Sequence, residues 1–189
     1  MNLPLRRFGR TNLNIPILSL GSMRFQKSWN QLKFSEISLK EQEKVNRILN
    51  IANEHGLNHI ETALHYGTSE LQLGYALENY DRKSIILQTK IPPNSNIEVF
   101  KENLKTSFEN LRVKKIDLVA IHGLNNDEHL NQSIREGGCV DVLKQYQKEG
   151  LIGNIGFSTH GNLSLVKRAI SSDKFDYVNL HWYFINQKN

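Results

Sequence analysis

The chain has 189 residues, 39% hydrophobic and 23% charged, with a formal net charge of +5. That is enough material for one hydrophobic core, and length alone suggests one domain. No apolar run reaches the roughly eighteen residues of a membrane-spanning helix, Met1 to Arg10 lacks the apolar region of a secretory signal, and the basic charge is scattered rather than striped, which argues against nucleic-acid binding.

Cys139 is the single cysteine. Neither a disulfide framework nor a cysteine-based metal site can be built within the chain, which favours a reducing cytoplasm.

In chain order, Leu5 to Phe8 and Leu13 to Ile15 flank Gly9-Arg10-Thr11-Asn12, the pattern of a hairpin. Ile17 to Gly21 reads as the first core strand. Arg24 to Ile37 is polar, aromatic and aperiodic, hence a loop. Ser38-Leu39-Lys40-Glu41 is a capping box, and Val45, Ile48, Leu49 and Ala52 recur on one helical face that Gly56 terminates. A second strand covers Leu57 to Glu61. A helix starts at Ser69, and Gly74 in its middle implies close packing, because glycine there costs about 1 kcal/mol relative to alanine.

Ser84 to Thr89 is the third strand. Ser95-Asn96-Ile97-Glu98 reads as another capping box, opening a helix with Ile97, Phe100, Leu104, Phe108 and Leu111 on its apolar face. Ile116 to Ile121 is nearly all apolar, as in a strand covered on both faces. Asn125 to Gly138 reads as a loop. Val140, Leu143 and Tyr146 mark a helix closed by Gly150. Ile152 to Phe157 is the fifth strand, Leu163, Val166, Ala169 and Ile170 a fifth helical face, and Tyr177 to Leu180 the sixth strand.

Strands alternating with helices indicate a parallel sheet. Polar residues of catalytic type follow several strand ends: Glu61 and Tyr66 after the second, Lys90 after the third, His122 after the fourth. Both a (β/α)8 barrel and a doubly wound sheet place sites there. The barrel is favoured, because no Gly-x-Gly-x-x-Gly follows the first strand and the reactive residues are spread over several strands.

These four side chains suit one chemistry if they converge. An ammonium beside a tyrosine favours the phenolate, which otherwise forms only near pH 10. Lys90 can do this for Tyr66, with Glu61 holding Lys90, while His122 donates a hydrogen bond to a carbonyl oxygen. Such a site polarises an aldehyde or ketone and protonates the forming alkoxide. No side chain supplies hydride, so a nicotinamide cofactor is implied.

The ordered fragments Gly56-Leu57-Asn58-His59-Ile60-Glu61-Thr62-Ala63, Tyr66-Gly67, Ser69-Glu70, Leu73-Gly74, Thr89-Lys90, Asp117-Leu118 with His122, and Gly156-Phe157-Ser158 resemble the aldo-keto reductases over essentially the whole chain. Gly137-Gly138-Cys139, Ser158-Thr159-His160 and Asn179-Leu180-His181-Trp182-Tyr183 resemble a bacterial, particularly cyanobacterial, branch of that family. The resemblance implies a (β/α)8 barrel, NADPH as cofactor and a small carbonyl substrate. It implies Tyr66 as proton donor, Lys90 and Glu61 as its tuning groups, and His122 as the group orienting the carbonyl. Ser158, Thr159 and Asn179 stand where the family contacts the nicotinamide carboxamide, and Ser22 and Met23 are further candidates for bordering the cofactor. Relatives of that branch can carry a cysteine-rich ferredoxin-like extension, which this sequence lacks, so no iron–sulfur cluster is expected.

The sequence departs from the family in three ways. Glu61 replaces an aspartate, moving the carboxylate by about 1.5 Å. Ser158-Thr159 replaces Ser-Asn, and Asn179 replaces a glutamine. Six strands and five helices are visible, whereas such a barrel typically takes about 250 residues. The last two βα units, which bind the adenosine and phosphate half of NADPH in the family, are therefore expected to fall outside the chain. Open edges at the first and sixth strands would permit self-association. Two other readings stay open: a non-catalytic scaffold or interaction subunit on the same fold, and a Schiff-base aldolase using Lys90. The spacing of His65, His160 and His181 fits no metal-ligand pattern, and Cys139 reads as a packed thiol.

Overall fold

The computed structural model describes residues 3–181. Strand β1 (Leu5–Arg7) pairs antiparallel with β2 (Asn14–Pro16), Leu5 opposite Pro16. The chain reverses through Gly9 and Asn12, both at positive φ (55° and 60°). The hairpin carries Phe8 into the base of the molecule, where its ring lies 5.0 Å from that of Tyr177 and 5.7 Å from that of His59.

Six parallel strands follow: β3 (Leu20–Gly21), β4 (His59–Glu61), β5 (Ile86–Ile91), β6 (Ile116–Ile121), β7 (Ile152–Thr159) and β8 (Tyr177–Leu180). They lie side by side in chain order, each paired with the next. A doubly wound sheet reverses its strand order midway. This sheet does not, and it winds as the wall of a barrel.

The helices are α1 (Leu39–Glu54), α2 (Ser69–Leu77), α3 (Ile97–Leu111), α4 (Asp127–Ile134), α5 (Cys139–Lys148) and α6 (Leu163–Ser171). None is long and apolar enough to cross a membrane among the described residues. Because side chains alternate across a strand, Leu87, Ile91, Val119, Ile121, Ile155 and Phe157 face the helices, where they meet Phe100, Leu104 and Leu111 of α3. Each such buried side chain contributes about 1.5–3 kcal/mol. The other face carries Leu118, Ala120 and Tyr177, closed from below by Phe8 and Leu13. Above them this inner face turns polar, with His59, Gln88 and Lys90 at most 3% exposed.

Several local expectations need correction. The first core strand is only Leu20–Gly21; Ile17 and Leu18 are about half exposed, and Ile17 N–H donates to Pro4, extending the hairpin side. The helix at Ile97 is capped by Asn96, whose side chain accepts from Glu98 N–H, and not by a box at Ser95. Asn125 to Gly138 is not all loop: it contains α4, capped by Asn126, so the described residues hold six α-helices and not five. In α6 the buried residues are Leu165, Val166 and Ala169, while Leu163 and Ile170 are exposed, so the buried stripe is rotated from the expected one.

Candidate active site

Glu61 ends β4, and the chain then turns away from the sheet. Thr62 N–H and Leu64 N–H still bond the carbonyls of Gln88 and Lys90, which ties the start of the turn to β5. Tyr66 N–H closes a turn onto the Ala63 carbonyl, and Gly67 follows at φ +54°. A Cβ on Gly67 would collide with the Ser28 carbonyl, so the segment around Trp29 lies directly on this turn. Thr68 fixes the two together: its N–H donates to the Ser28 carbonyl, and its hydroxyl accepts from Lys27 N–H.

Lys90 reaches this turn from β5. Its Nζ donates to Glu61 Oε1 at 2.7 Å, Tyr66 Oη at 3.1 Å and the Thr62 carbonyl at 3.1 Å. An ammonium has three donors, and all three are used. Its side chain is 4% exposed and that of Glu61 is 24% exposed, so the pair sits between core and cleft. Removing one member of such a pair costs more than the pair contributes, because the survivor stays charged and desolvated.

His122 follows β6. Its ring meets the Tyr66 ring edge-on, at 5.7 Å and 89°, and the His65 ring at 6.0 Å. Burial, then Lys90, His65 and His160, push its pKa down to about 4. It is therefore a neutral imidazole at pH 7, and its Nδ1 is buried without a partner.

The four residues line one cleft of about 410 Å³, together with Ser158, Thr159, His160, Val178, Asn179, Leu180 and His181. Ser158 Oγ accepts from Gly123 N–H at 3.0 Å, which leaves its own proton free for an acceptor in the cleft. Thr159 donates to the Leu124 carbonyl and accepts from Gly161 N–H, so its hydroxyl caps the turn. Asn179 reaches across the inner face to Gln88 and Glu61. Ser22 and Met23 are not themselves among these lining residues. Ser22 is fully buried and donates to the Glu61 carbonyl, and Met23 is surface-exposed. The rings of His160 and His181 approach to 4.7 Å. Trp182 and Tyr183 lie outside the described residues. Cys139 is buried, with its thiol pushed upward by desolvation and donating to the Asn94 carbonyl.

Sequence reasoning gave no role to two buried groups next to the site. Glu70 is fully buried; desolvation raises its pKa, against hydrogen bonds led by the Thr89 hydroxyl at 2.5 Å. Gln88 is fully buried between His59 and Asn179. The period of two was the available signal: Gln88 precedes Lys90 by two residues and His59 precedes Glu61 by two, so each pair shares a face.

The aldo/keto reductase family profile matches residues 17–187. An uncharacterised oxidoreductase of Bacillus subtilis (strain 168), YqkF, is 28% identical; the match covers 82% of this chain and 48% of that protein. The chain thus spans about half the length of this curated relative. A Pseudomonas aeruginosa structure described as an aldo-keto reductase is 25% identical and superposes with a TM-score of 0.78 over 97% of this chain and 69% of its own. The Bombyx mori aldo-keto reductase AKR2E4, solved in complex with NADP, shares the fold at 22% identity, with a TM-score of 0.69 over 96% of this chain and 59% of its own. With strands in barrel succession and the family profile spanning most of its length, the chain belongs to the aldo/keto reductase family.

Proposed function

We propose that the cleft reduces an aldehyde or ketone to an alcohol, with NADPH as the reductant. One observation carries this reading: Lys90 Nζ touches both Glu61 and Tyr66 while His122 meets the edge of the same phenol. A nicotinamide cofactor, with Ser158 among the residues that would hold it, would supply hydride for the carbonyl carbon when bound. The residues present suit such a group. The cleft is polar-walled, and Ser158 keeps a hydroxyl proton for a carboxamide oxygen. NADP in the Bombyx mori relative agrees with this choice of cofactor.

The protein's own part is proton delivery. Lys90 donates to the phenol oxygen, so the Tyr66 O–H is left to point at an acceptor in the cleft. The substrate oxygen takes that proton as charge builds on it, and the ammonium 3.1 Å away stabilises the phenolate left behind. Glu61 keeps Lys90 in place and balances its charge. His122, being neutral, donates a hydrogen bond to the carbonyl oxygen without adding a second cation. Solvent reprotonates Tyr66 through the open side of the cleft.

The test is turnover of a panel of aldehydes with NADPH. Tyr66→Phe keeps the ring and removes the acid, so kcat should fall by about 100-fold or more. A variant as fast as the unsubstituted protein would overturn the role given to Tyr66.

A further inference from the structure

A polar chain that the proton transfer does not itself use crosses the inner face of the sheet. Ser19 Oγ lies 2.7 Å from His59 Nδ1, and His59 Nε2 lies 3.1 Å from Gln88 Oε1. Gln88 Nε2 lies 2.7 Å from Asn179 Oδ1, and Asn179 Nδ2 lies 3.3 Å from Glu61 Oε2. Four strand-borne side chains from β4, β5 and β8 are thus tied across the sheet's concave side.

Chemistry fixes the direction of every bond from one end. A carboxylate only accepts, so Asn179 presents its NH2 to Glu61 and its oxygen to Gln88. Gln88 then donates its NH2 and turns its own oxygen to His59. His59 must carry its proton on Nε2, leaving Nδ1 to accept from the Ser19 hydroxyl. All donors therefore point toward Glu61. His59 and Gln88 are 2% and 0% exposed, so water has little access to replace these partners. Burial pushes the His59 pKa down, which agrees with a neutral ring.

We propose that Gln88 and Asn179 are positioning residues that hold the Glu61 carboxylate against Lys90, with neutral His59 in its Nε2–H form setting the direction of the chain. Glutamate has one more rotatable bond than aspartate. With Oε1 on Lys90 alone, the carboxylate pivots about that contact; Asn179 on Oε2 gives it a second fixed point. Asn179 thereby commits its oxygen and one N–H to the protein. The catalytic consequence rests on the reading of Tyr66 as the acid, because Glu61 acts on it through Lys90.

Two measurements test this. In cofactor-free protein with 15N-labelled histidine at pH 7.5, the His59 proton should sit on Nε2, and Gln88→Met should mix the two tautomers. A proton on Nδ1, or a charged ring, in the unsubstituted protein overturns the chain, and that reading does not depend on whether the variant folds. In turnover assays, Asn179→Ala and Gln88→Met should each lower kcat on the order of tenfold, with KM for NADPH within about twofold. If Asn179→Ala instead raises KM for NADPH and spares kcat, Asn179 is a cofactor contact and the proposal falls. If the unsubstituted protein shows no turnover, the reductase reading fails by itself, and the imidazole tautomer still decides whether the chain exists.

Discussion

His122 is the residue whose surroundings leave the clearest mark on the whole fold. Its pKa falls from 6.5 to about 4, chiefly through burial. Between those limits the unfolded chain binds a proton that the folded ring refuses, so stability is complete above pH 6.5 and drains away as pH drops toward 4. One group with that shift removes roughly 3 kcal/mol in all. Urea unfolding at pH 7 and 4.5 should show His122→Gln losing roughly 2–3 kcal/mol less than the unsubstituted protein; parallel losses would contradict this. The residues that touch were readable from their places at or near strand ends, because parallel strands deliver those ends to one rim; Lys90 itself lies inside β5, which runs Ile86–Ile91 and not Ser84 to Thr89 as expected. Gln88 and His59 were not singled out, since a polar residue inside a strand looks like any solvent-facing one until the opposite wall of the barrel is known.

At the scale of elements, α2 and α3 pack at Gly74. A Cβ there would collide with the backbone of Asn110 and Leu111, and a backbone cannot swing aside as a side-chain tip can. Alanine gains about 1 kcal/mol of helix propensity at such a site, but overpacking typically costs 1–3 kcal/mol. Gly74→Ala should therefore lower unfolding stability by about 1 kcal/mol, read from the urea midpoint; a stabilised variant would show that the helices can separate freely. Sequence flagged this contact because a glycine in the middle of a helix costs about 1 kcal/mol relative to alanine. It did not flag α4. Asp127-Glu128-His129-Leu130-Asn131-Gln132-Ser133-Ile134 has only two apolar residues, too few for a stripe, although Asn126 and the two acids after it are a sound helix start. In α6, Leu163, Leu165, Val166, Ala169 and Ile170 offer two overlapping stripes, and only the packing chooses between them.

For the molecule as a whole, burial is concentrated in the middle of the sheet. The β6 residues Leu118 to Ile121 are fully buried, and β5 and β7 flank them on both sides. The β1–β2 hairpin has only three residues per strand, with all of β1 exposed. Amide exchange should accordingly be slowest in β5, β6 and β7 and fastest in β1 and β2, followed by mass spectrometry or NMR; a hairpin as protected as β6 would contradict that ranking. The turn at Gly67 matters at this scale too. The backbone of Ser28 and Trp29 leaves no room for a side chain there. The loop and the Tyr66 turn consequently share a single joint: grafting a different segment between Arg24 and Ile37 re-aims the phenol of Tyr66 as well, and neither is redesigned alone.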